Sequence, residues 1–398
     1  MAKIVTLGCR LNQYDSARIQ KLLEDYGEEI IIINTCTVTG NADTDARKTA
    51  RKMKRENPGA KVIVYGCAVR GDRGLFEGVK EIDYIVRDEP GLMALLGLDG
   101  ARHVIPKFVG RTRAMIKVQE GCNRRCSYCI VPLVRGRSRS RSSAEVEKEF
   151  SGIIQEGFRE IVLTGTHIAD FGKGTKDMNL PALLRKLLAM GEGFRIRLSS
   201  MEINGVSDEL VELIATSRGR IAEHFHIPIQ SGSQKVLKEM NRDSDVGTLR
   251  DRIMKIRKTI PGAGIGADII NAFPTESEKD FEETLAFIKG LPLAFLHVFT
   301  FSPRPGTAAF QFQPLRKEIV DERKKELMIL AKRKRLDFYK ENAGKVLRCL
   351  TLESSKGRGK ALSGNFIELS TEKNYQPNMF VDLRLRLTAD FEPAGEEV

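Results

Sequence analysis

Short apolar runs and longer amphipathic stretches alternate along most of the chain. AKIVTLGC, EEIIIINTC and AKVIVYGC are strand-like runs, and each ends in a cysteine: Cys9, Cys36 and Cys67. Helix-like stretches, QYDSARIQKLLEDYG and NADTDARKTARKMKRENPG, follow the first two. That order predicts β-α-β-α-β, hence a parallel sheet with right-handed crossovers and helices packed against it. From about residue 110 the alternation starts again. RAMIKVQEGC, EIVLTG, FRIRLSS, EHFHIPIQ, GIGADII and AFLHVFTF read as six strands, separated by helical stretches such as LPALLRKLLAM and SEKDFEETLAFIKGL. Six β/α repeats fall short of the eight of a closed barrel, so the prediction is a partial barrel with a lateral opening. Residues 316–342 read as a long charged helix. Beyond it, VLRCLTLE, GKALSGNFIELS and MFVDLRLRLT alternate apolar and polar residues between turn signals, the pattern of a small antiparallel barrel.

The carboxyl ends of parallel strands lie along one edge, where ligands usually bind. Cys9, Cys36 and Cys67 therefore converge in space although 27 and 31 residues separate them in sequence. A single free cysteine is most often a buried core thiol; three in the same structural position read as a three-thiolate metal centre. A second triad, Cys122, Cys126 and Cys129, lies in EGCNRRCSYCIV, in the loop after the first strand of the second region. A structural zinc site wants four protein ligands, and no histidine lies close by. Three thiolates leave one coordination position open for a substrate or cofactor. Cys349 stands apart from both triads and is expected to be a packed thiol. His224 and His226 share one face of a strand without metal-ligand spacing, and a hydrogen-bonded barrel interior is expected for them.

At 398 residues the chain has room for two or three domains. Lys and Arg outnumber Asp and Glu by 65 to 53, a net charge of +12, which points to a polyanionic partner. RGRSRSR at 135–141 directly follows the second cysteine motif, and RKK at 323–325 and KRKR at 332–335 fall on the long helix. No apolar run approaches the ~20 residues that cross a bilayer. MAKIVTLGCR turns polar too soon for a signal peptide. Seven cysteines without secretory features are expected to serve as ligands in a reducing, cytoplasmic compartment rather than as disulfides.

LGCRLNQYDS, INTCTVT, YGCAVR, EGCNRRCSYCIVPLVRGRSRSR, LTGTHIADFG, RLSSMEI, HIPIQSGSQKVLKEMNR and FSPRPGTAAF carry a resemblance over nearly the whole chain. They resemble the methylthiotransferase family of radical S-adenosylmethionine (SAM) enzymes. The resemblance implies an α/β protein of three domains: an N-terminal parallel three-layer α/β domain at 1–105, a partial (β/α)6 radical SAM barrel at 106–335, and a small TRAM-like RNA-binding β-barrel at 336–398. It implies two [4Fe–4S] clusters. Cys122, Cys126 and Cys129 match the ligands of the radical cluster, whose open position SAM fills, and Cys9, Cys36 and Cys67 match the auxiliary ligands. Thiolate-only ligation suits such clusters. Tyr128 matches the aromatic position before the last cysteine. By strand-end position Thr164 and Gly165 would meet the SAM amino group, and Ser200, Glu202 and Gln230 the ribose or carboxylate. The family's glycine-containing rim turn is replaced here by Asn271, Ala272 and Thr275, which departs from the pattern.

The activity implied is insertion of sulfur and a methyl group at C2 of N6-threonylcarbamoyladenosine-37 in tRNA, the subgroup whose first motif LGCRLNQYDS most resembles. Isopentenyladenosine-37 and a ribosomal-protein aspartate are the alternative substrates. A non-enzymatic RNA-binding iron–sulfur scaffold is the alternative of another class, and it predicts metal without SAM cleavage. An electron donor such as flavodoxin or ferredoxin is implied; the oligomeric state is left open.

Overall fold

β-Branched side chains fill a pleated strand well when both faces are covered, and the first region is built from them. In the computed structural model, which describes residues 2–98, 104–106, 108, 110–355 and 357–398, strands β1 (Ala2–Thr6), β2 (Ile30–Thr35), β3 (Lys61–Gly66) and β4 (Tyr84–Val86) form one parallel sheet in that order. On one face Ile31, Ile33, Val62 and Val64 pack on Ala46, Ala50 and Met53 of the helix Gly40–Glu56. On the other, Ile30, Ile32, Ile63 and Tyr65 pack on Ile19 and Leu92 of the helices Arg10–Leu22 and Glu89–Leu95. The result is the three-layer arrangement predicted, with a fourth, three-residue strand that the apolar pattern is too short to signal.

The chain divides into two compact units. One comprises residues 1–110, 120–139 and 302–311; the other comprises 111–119, 140–301 and 312–398. The cysteine loop thus belongs to the same unit as the N-terminal sheet. The region entered as one strand, RAMIKVQEGC, breaks into β5 (Ala114–Lys117) and the two-residue β6 (Gln119–Glu120), with β7 (Arg139–Ser140) equally short.

The second unit holds β5, β8 (Glu160–Thr164), β9 (Arg195–Leu198), β10 (His224–Gln230), β11 (Gly264–Asn271) and β12 (Phe295–Thr300). They form two parallel three-stranded sheets, β5-β8-β9 and β10-β11-β12. A parallel bridge from Ile196 to Ile221 and a hydrogen bond from Met201 N to His226 O link the two. Six parallel strands in chain order make the predicted partial barrel.

The helix Lys317–Asn342 leads into β13 (Val346–Ser355), β14 (Arg358–Ser363), β15 (Glu368–Thr371), β16 (Phe380–Leu387) and β17 (Pro393–Glu397). These close into a barrel in the order β13-β14-β15-β17-β16. The expectation of a purely antiparallel barrel is corrected at one seam, where β15 and β17 run parallel. Cys349 lies in its core beside Leu369 and Leu383, and burial pushes the thiol up to about 12. A packed thiol is what the sequence predicts.

Glu160 fastens this barrel to the six-stranded one. It accepts from Arg195 and Arg197 at 2.7 and 2.8 Å. Arg195 donates to Arg348 O and Leu362 O, and Arg197 to Ser363 O and Gly364 O. Burial opposes the charge on Glu160, yet the guanidinium groups hold its carboxyl well below the usual range. In the turn after β14, Phe366 stacks on His224 at 4.4 Å, lies 5.5 Å from the Phe295 ring and sits under Arg197 at 5.1 Å. It fills the amino-terminal end of the lumen. No helix among the described residues is long and apolar enough to cross a membrane.

Candidate functional site

Cys9, Cys36 and Cys67 stand just beyond the carboxyl ends of β1, β2 and β3, as the apolar runs predict. Two glycines make the approach possible. Gly8 has φ +97, and a Cβ on it would lie 2.7 Å from Cys36 Sγ; Gly66 has φ +107 and faces Asn34 Oδ1. Asn12 sits among the thiols. Its Oδ1 lies 3.8 Å from Cys9 Sγ and 4.0 Å from Cys67 Sγ, and its Nδ2 donates to Leu7 O and Thr35 O at 2.7 and 2.9 Å. Asn34 Nδ2 in turn donates to Asn12 O and Ser16 Oγ. These bonds fix the amide's orientation before anything binds.

Arg135 is the charge beside this triad. It is buried and donates to Asn12 Oδ1, to Glu120 Oε1 at 2.7 Å and to Asp15 Oδ2 at 3.4 Å. Burial works against its charge, but Cys67, Asp15, Cys9 and Glu120 outweigh it and raise its pKa. Burial also pushes the Cys36 thiol up to about 11 and raises Cys67, with Arg135 opposing the latter. Neither Asn12 nor Arg135 is legible as a site residue in the sequence. Arg135 opens the Arg/Ser run read as a polyanion contact, and for that residue the reading is corrected: it is committed inside the fold. Arg141 is likewise engaged, donating to Glu149 Oε2 at 2.6 Å and to Lys117 O, so within the run it is exposed Arg137 and Arg139 that are placed for such a contact.

The second triad is shaped by a loop. Gly121 has φ +76, and a Cβ there would fall 2.1 Å from Arg137 O, so only glycine fits. Cys122 N donates to Gly136 O, Cys129 N to Cys126 O and Ala309 N to Ser127 O. Arg124 N points at Cys122 Sγ at 3.4 Å, the kind of amide contact that tunes a thiolate ligand. Cys122, Cys126 and Cys129 line a cavity of ≈ 680 Å³ with Arg124, Gly306 and Thr307. Tyr128 is half-buried within the same loop. The helix Val131–Arg135 packs Val134, with Ile130 before it, on Cys67, so one stretch of chain supports both triads. From the segment 302–311, Arg304 donates to Thr37 Oγ1 at 2.9 Å and pairs with Asp43 beside the Cys36 turn.

Thr164, Gly165, Ser200, Glu202 and Gln230 gather at the carboxyl ends of β8, β9 and β10 in the second unit. Gly165 is held close, since a Cβ on it would meet Gln119 O at 2.9 Å. Glu202 is engaged by Arg242 at 2.7 Å, and Arg242 also donates to Pro228 O. Gln230 takes φ +73 where the β10–β11 register shifts. Such a bulge re-aims a side chain at a rim. The glycine-poor rim turn keeps a left-handed residue all the same: Ala272 has φ +59. Asn271 Nδ2 donates to Val320 O, and Thr275 Oγ1 bonds Glu239.

Within the lumen His224 stacks on Phe295 and Phe366. His226 Nε2 lies 2.8 Å from Asp268 Oδ1, and His297 Nδ1 lies 3.3 Å from the same oxygen. The hydrogen-bonded interior expected for the two β10 histidines is seen at His226, and His224 is placed in that interior by its ring contacts. Asp268 and His297, which complete the network, are not signalled by local sequence.

Two family models match the sequence: the Radical SAM superfamily over residues 116–288 and Uncharacterized protein family UPF0004 over residues 1–87. The chain is 34% identical to "Threonylcarbamoyladenosine tRNA methylthiotransferase MtaB" of Bacillus subtilis, over 88% of this chain and 84% of that one. It is 32% identical to "tRNA-2-methylthio-N(6)-dimethylallyladenosine synthase" of Carboxydothermus hydrogenoformans, over 91% and 90%. Among solved structures, the radical S-adenosylmethionine methyltransferase TsrM of Kitasatospora setae aligns with a TM-score of 0.55 at 13% identity, over 76% of this chain and 69% of that one, a likeness of fold.

Proposed function

The chain belongs to the radical SAM methylthiotransferase family, and we propose that it replaces the C2 hydrogen of N6-threonylcarbamoyladenosine-37 in tRNA with a methylthio group. The observation that carries this reading is the gathering of six of the seven cysteines in one unit, three at adjacent strand ends and three around a cavity of ≈ 680 Å³. Two thiolate triads on one frame suit a reaction that needs a radical source and a sulfur source. The threonylcarbamoyl substrate is favoured by the Bacillus subtilis relative and by the LGCRLNQYDS form of the first motif.

Radical SAM chemistry brings a [4Fe–4S] cluster and SAM, which supply when bound the 5′-deoxyadenosyl radical. Cys122, Cys126 and Cys129 would hold that cluster, and Cys9, Cys36 and Cys67 an auxiliary one. The donor sets fit, because thiolates alone select iron–sulfur centres over hard cations. Arg124 N would stabilise charge on the Cys122 sulfur, and Arg135 would offset the negative charge of the other triad. Thr164, Gly165, Ser200 and Gln230 would orient SAM, as would Tyr128 in the cysteine loop. Glu202, already paired with Arg242, would act through its remaining lone pairs.

The organisation that follows is a methylthiotransferase domain at 1–105, a radical SAM core at 106–335 and a TRAM-like module at 336–398. Arg358, Lys373, Arg386 and Tyr375 line a second cavity, of ≈ 550 Å³, on the terminal barrel together with Glu372, Glu396 and Glu397, and Lys373 pairs with Glu397 and Arg386 with Glu396. Support for RNA binding therefore comes from the net charge of +12 and from exposed Arg137 and Arg139, and such binding weakens steeply with salt. A flavodoxin or ferredoxin would supply electrons in the cytoplasm.

Nucleoside mass spectrometry tests the reading. Anaerobically reconstituted protein with SAM and reductant is given tRNA bearing threonylcarbamoyladenosine or isopentenyladenosine. A methylthio product on the first alone is expected. Product on the second alone would transfer the protein to the sister substrate, and SAM cleavage without either product would overturn the tRNA assignment.

A further inference from the structure

The lumen of the six-stranded barrel carries a polar group that the cluster chemistry leaves unused. Parallel register assembles it: His226 pairs with Gly266, Gly266 with Phe295, and Asp268 with His297. Side chains alternate along a strand, so His226, Asp268 and His297 share one face of three neighbouring strands. Gly266 makes the space, because a Cβ on it would fall 2.2 Å from the Phe295 ring. The two imidazole rings lie 5.0 Å apart, and one ligating atom from each of the three residues falls within 4.8 Å of the others. Exposure rises across the group, from 11% of the His226 side chain to 21% of Asp268 and 50% of His297.

Asp268 organises the rings. Its burial favours the neutral acid, yet hydrogen bonds from His226 and His297 outweigh that and hold it down at about 2. An ionised carboxylate between two imidazoles draws one N–H from each, and this fixes both tautomers. The second nitrogens, His226 Nδ1 and His297 Nε2, then remain for a ligand. A neutral ring offers an acceptor there and a protonated ring a donor.

We propose that the His226–Asp268–His297 network recognises the polar side group of the substrate adenine, its carboxylate together with the neighbouring hydroxyl or ureido N–H. The inference rests on the function proposed above and deepens it. Asp268 and His297 each lie three residues before the end of their strand, roughly 10 Å below the rim at about 3.3 Å per residue. A base held at the rim, where barrel active sites form, sends its side group into that depth. An alkenyl side group offers no hydrogen bonds and would leave the two rings unpaired, the strongest kind of discrimination a polar site can exert. Asp268 acts through the rings and is a positioning residue.

The test compares holoenzymes of wild type, His297→Ala, His297→Asn and Asp268→Asn on threonylcarbamoyl tRNA, with binding to the same tRNA lacking the side group as the control. His297→Ala and Asp268→Asn are expected to raise KM for the modified tRNA by about 10- to 100-fold with a much smaller change in kcat. Their affinity for the unmodified tRNA should stay at the wild-type value. His297→Asn, which keeps a donor and an acceptor, should recover part of the loss. Equal weakening on both tRNAs, or a fall in kcat alone, overturns the assignment while leaving the reaction intact. Two histidines and a carboxylate can also form a metal triad. Stoichiometric zinc in wild type that His297→Ala loses would therefore overturn it as well. Failure of wild type to modify threonylcarbamoyl tRNA, with SAM still cleaved, removes the substrate reading and this inference with it.

Discussion

Cys9, Cys36 and Cys67 are held by a sheet, whereas Cys122, Cys126 and Cys129 are held by a loop. The first set is spread over three strand ends, with Cys36 and Cys67 buried and Asn12 and Arg135 filling the space between. The second occupies eight residues, half-buried on the wall of a cavity, and its shape comes from Gly121 and three backbone hydrogen bonds. A sheet cannot move one thiol without disturbing its hydrophobic layers. A loop can present sulfur to a cavity while the core beneath stays fixed. Under the function proposed above, the difference would suit one centre built into the fold and another whose open position takes a fresh cofactor at every turnover.

Cysteine substitutions test that contrast most severely. Cys126→Ala is expected to abolish 5′-deoxyadenosine formation and to remove about half the iron, with an unchanged circular dichroism spectrum. Cys67→Ala should lose a similar share of iron and all methylthio product, yet still cleave SAM. Loss of SAM cleavage in both would show that the triads are one functional unit.

Arg135→Met comes next. It takes a buried cation away from Asp15 and Glu120 beside the sheet triad, and removing one partner of a buried ion pair costs about 3–5 kcal/mol. Urea unfolding should show this fall, whereas Arg139→Met, at an exposed position, should fall within about 0.5 kcal/mol of wild type.

The smallest effect is kinetic. In iron-free protein an alkylating reagent should label the half-buried loop thiols and exposed Cys9 before Cys36. Only the thiolate reacts, and burial pushes Cys36 up to about 11. Its rate should therefore still be climbing as pH nears that value. Peptide mass spectrometry reads the order, and early labelling of Cys36 would mean that the sheet does not shield it.

Most of the frame was legible because strands buried on both faces read as uninterrupted apolar runs. IIIINT ends at a cysteine in the sequence and at a site in the fold for the same reason, since the strand must stop where the chain meets solvent and ligand. Arg135 was misread because its neighbours Arg137 and Arg139 are exposed, and alternation in a charged run carries no mark of burial. Asp268 and His297 lie 42 and 29 residues from their partners in the network. Only the register between parallel strands joins them, and one sequence does not contain that register. Ala272 is different again. It holds φ +59, a left-handed conformation in which glycine would be at ease, so the absence of glycine from the sequence does not mark the absence of the turn.

Phe366 gives the six-stranded barrel a floor. With that end stopped, a partial barrel is entered at its carboxyl-end rim or from its open side, and whatever goes deepest goes in first. The deepest guest must be seated before the rest of its molecule can settle, and it must withdraw before a successor arrives. Because the stopper is supplied by the terminal barrel through Phe366 and its anchoring neighbour Asn365, which donates to Gly262 O, the length of the tube is set by a module that is not part of its wall.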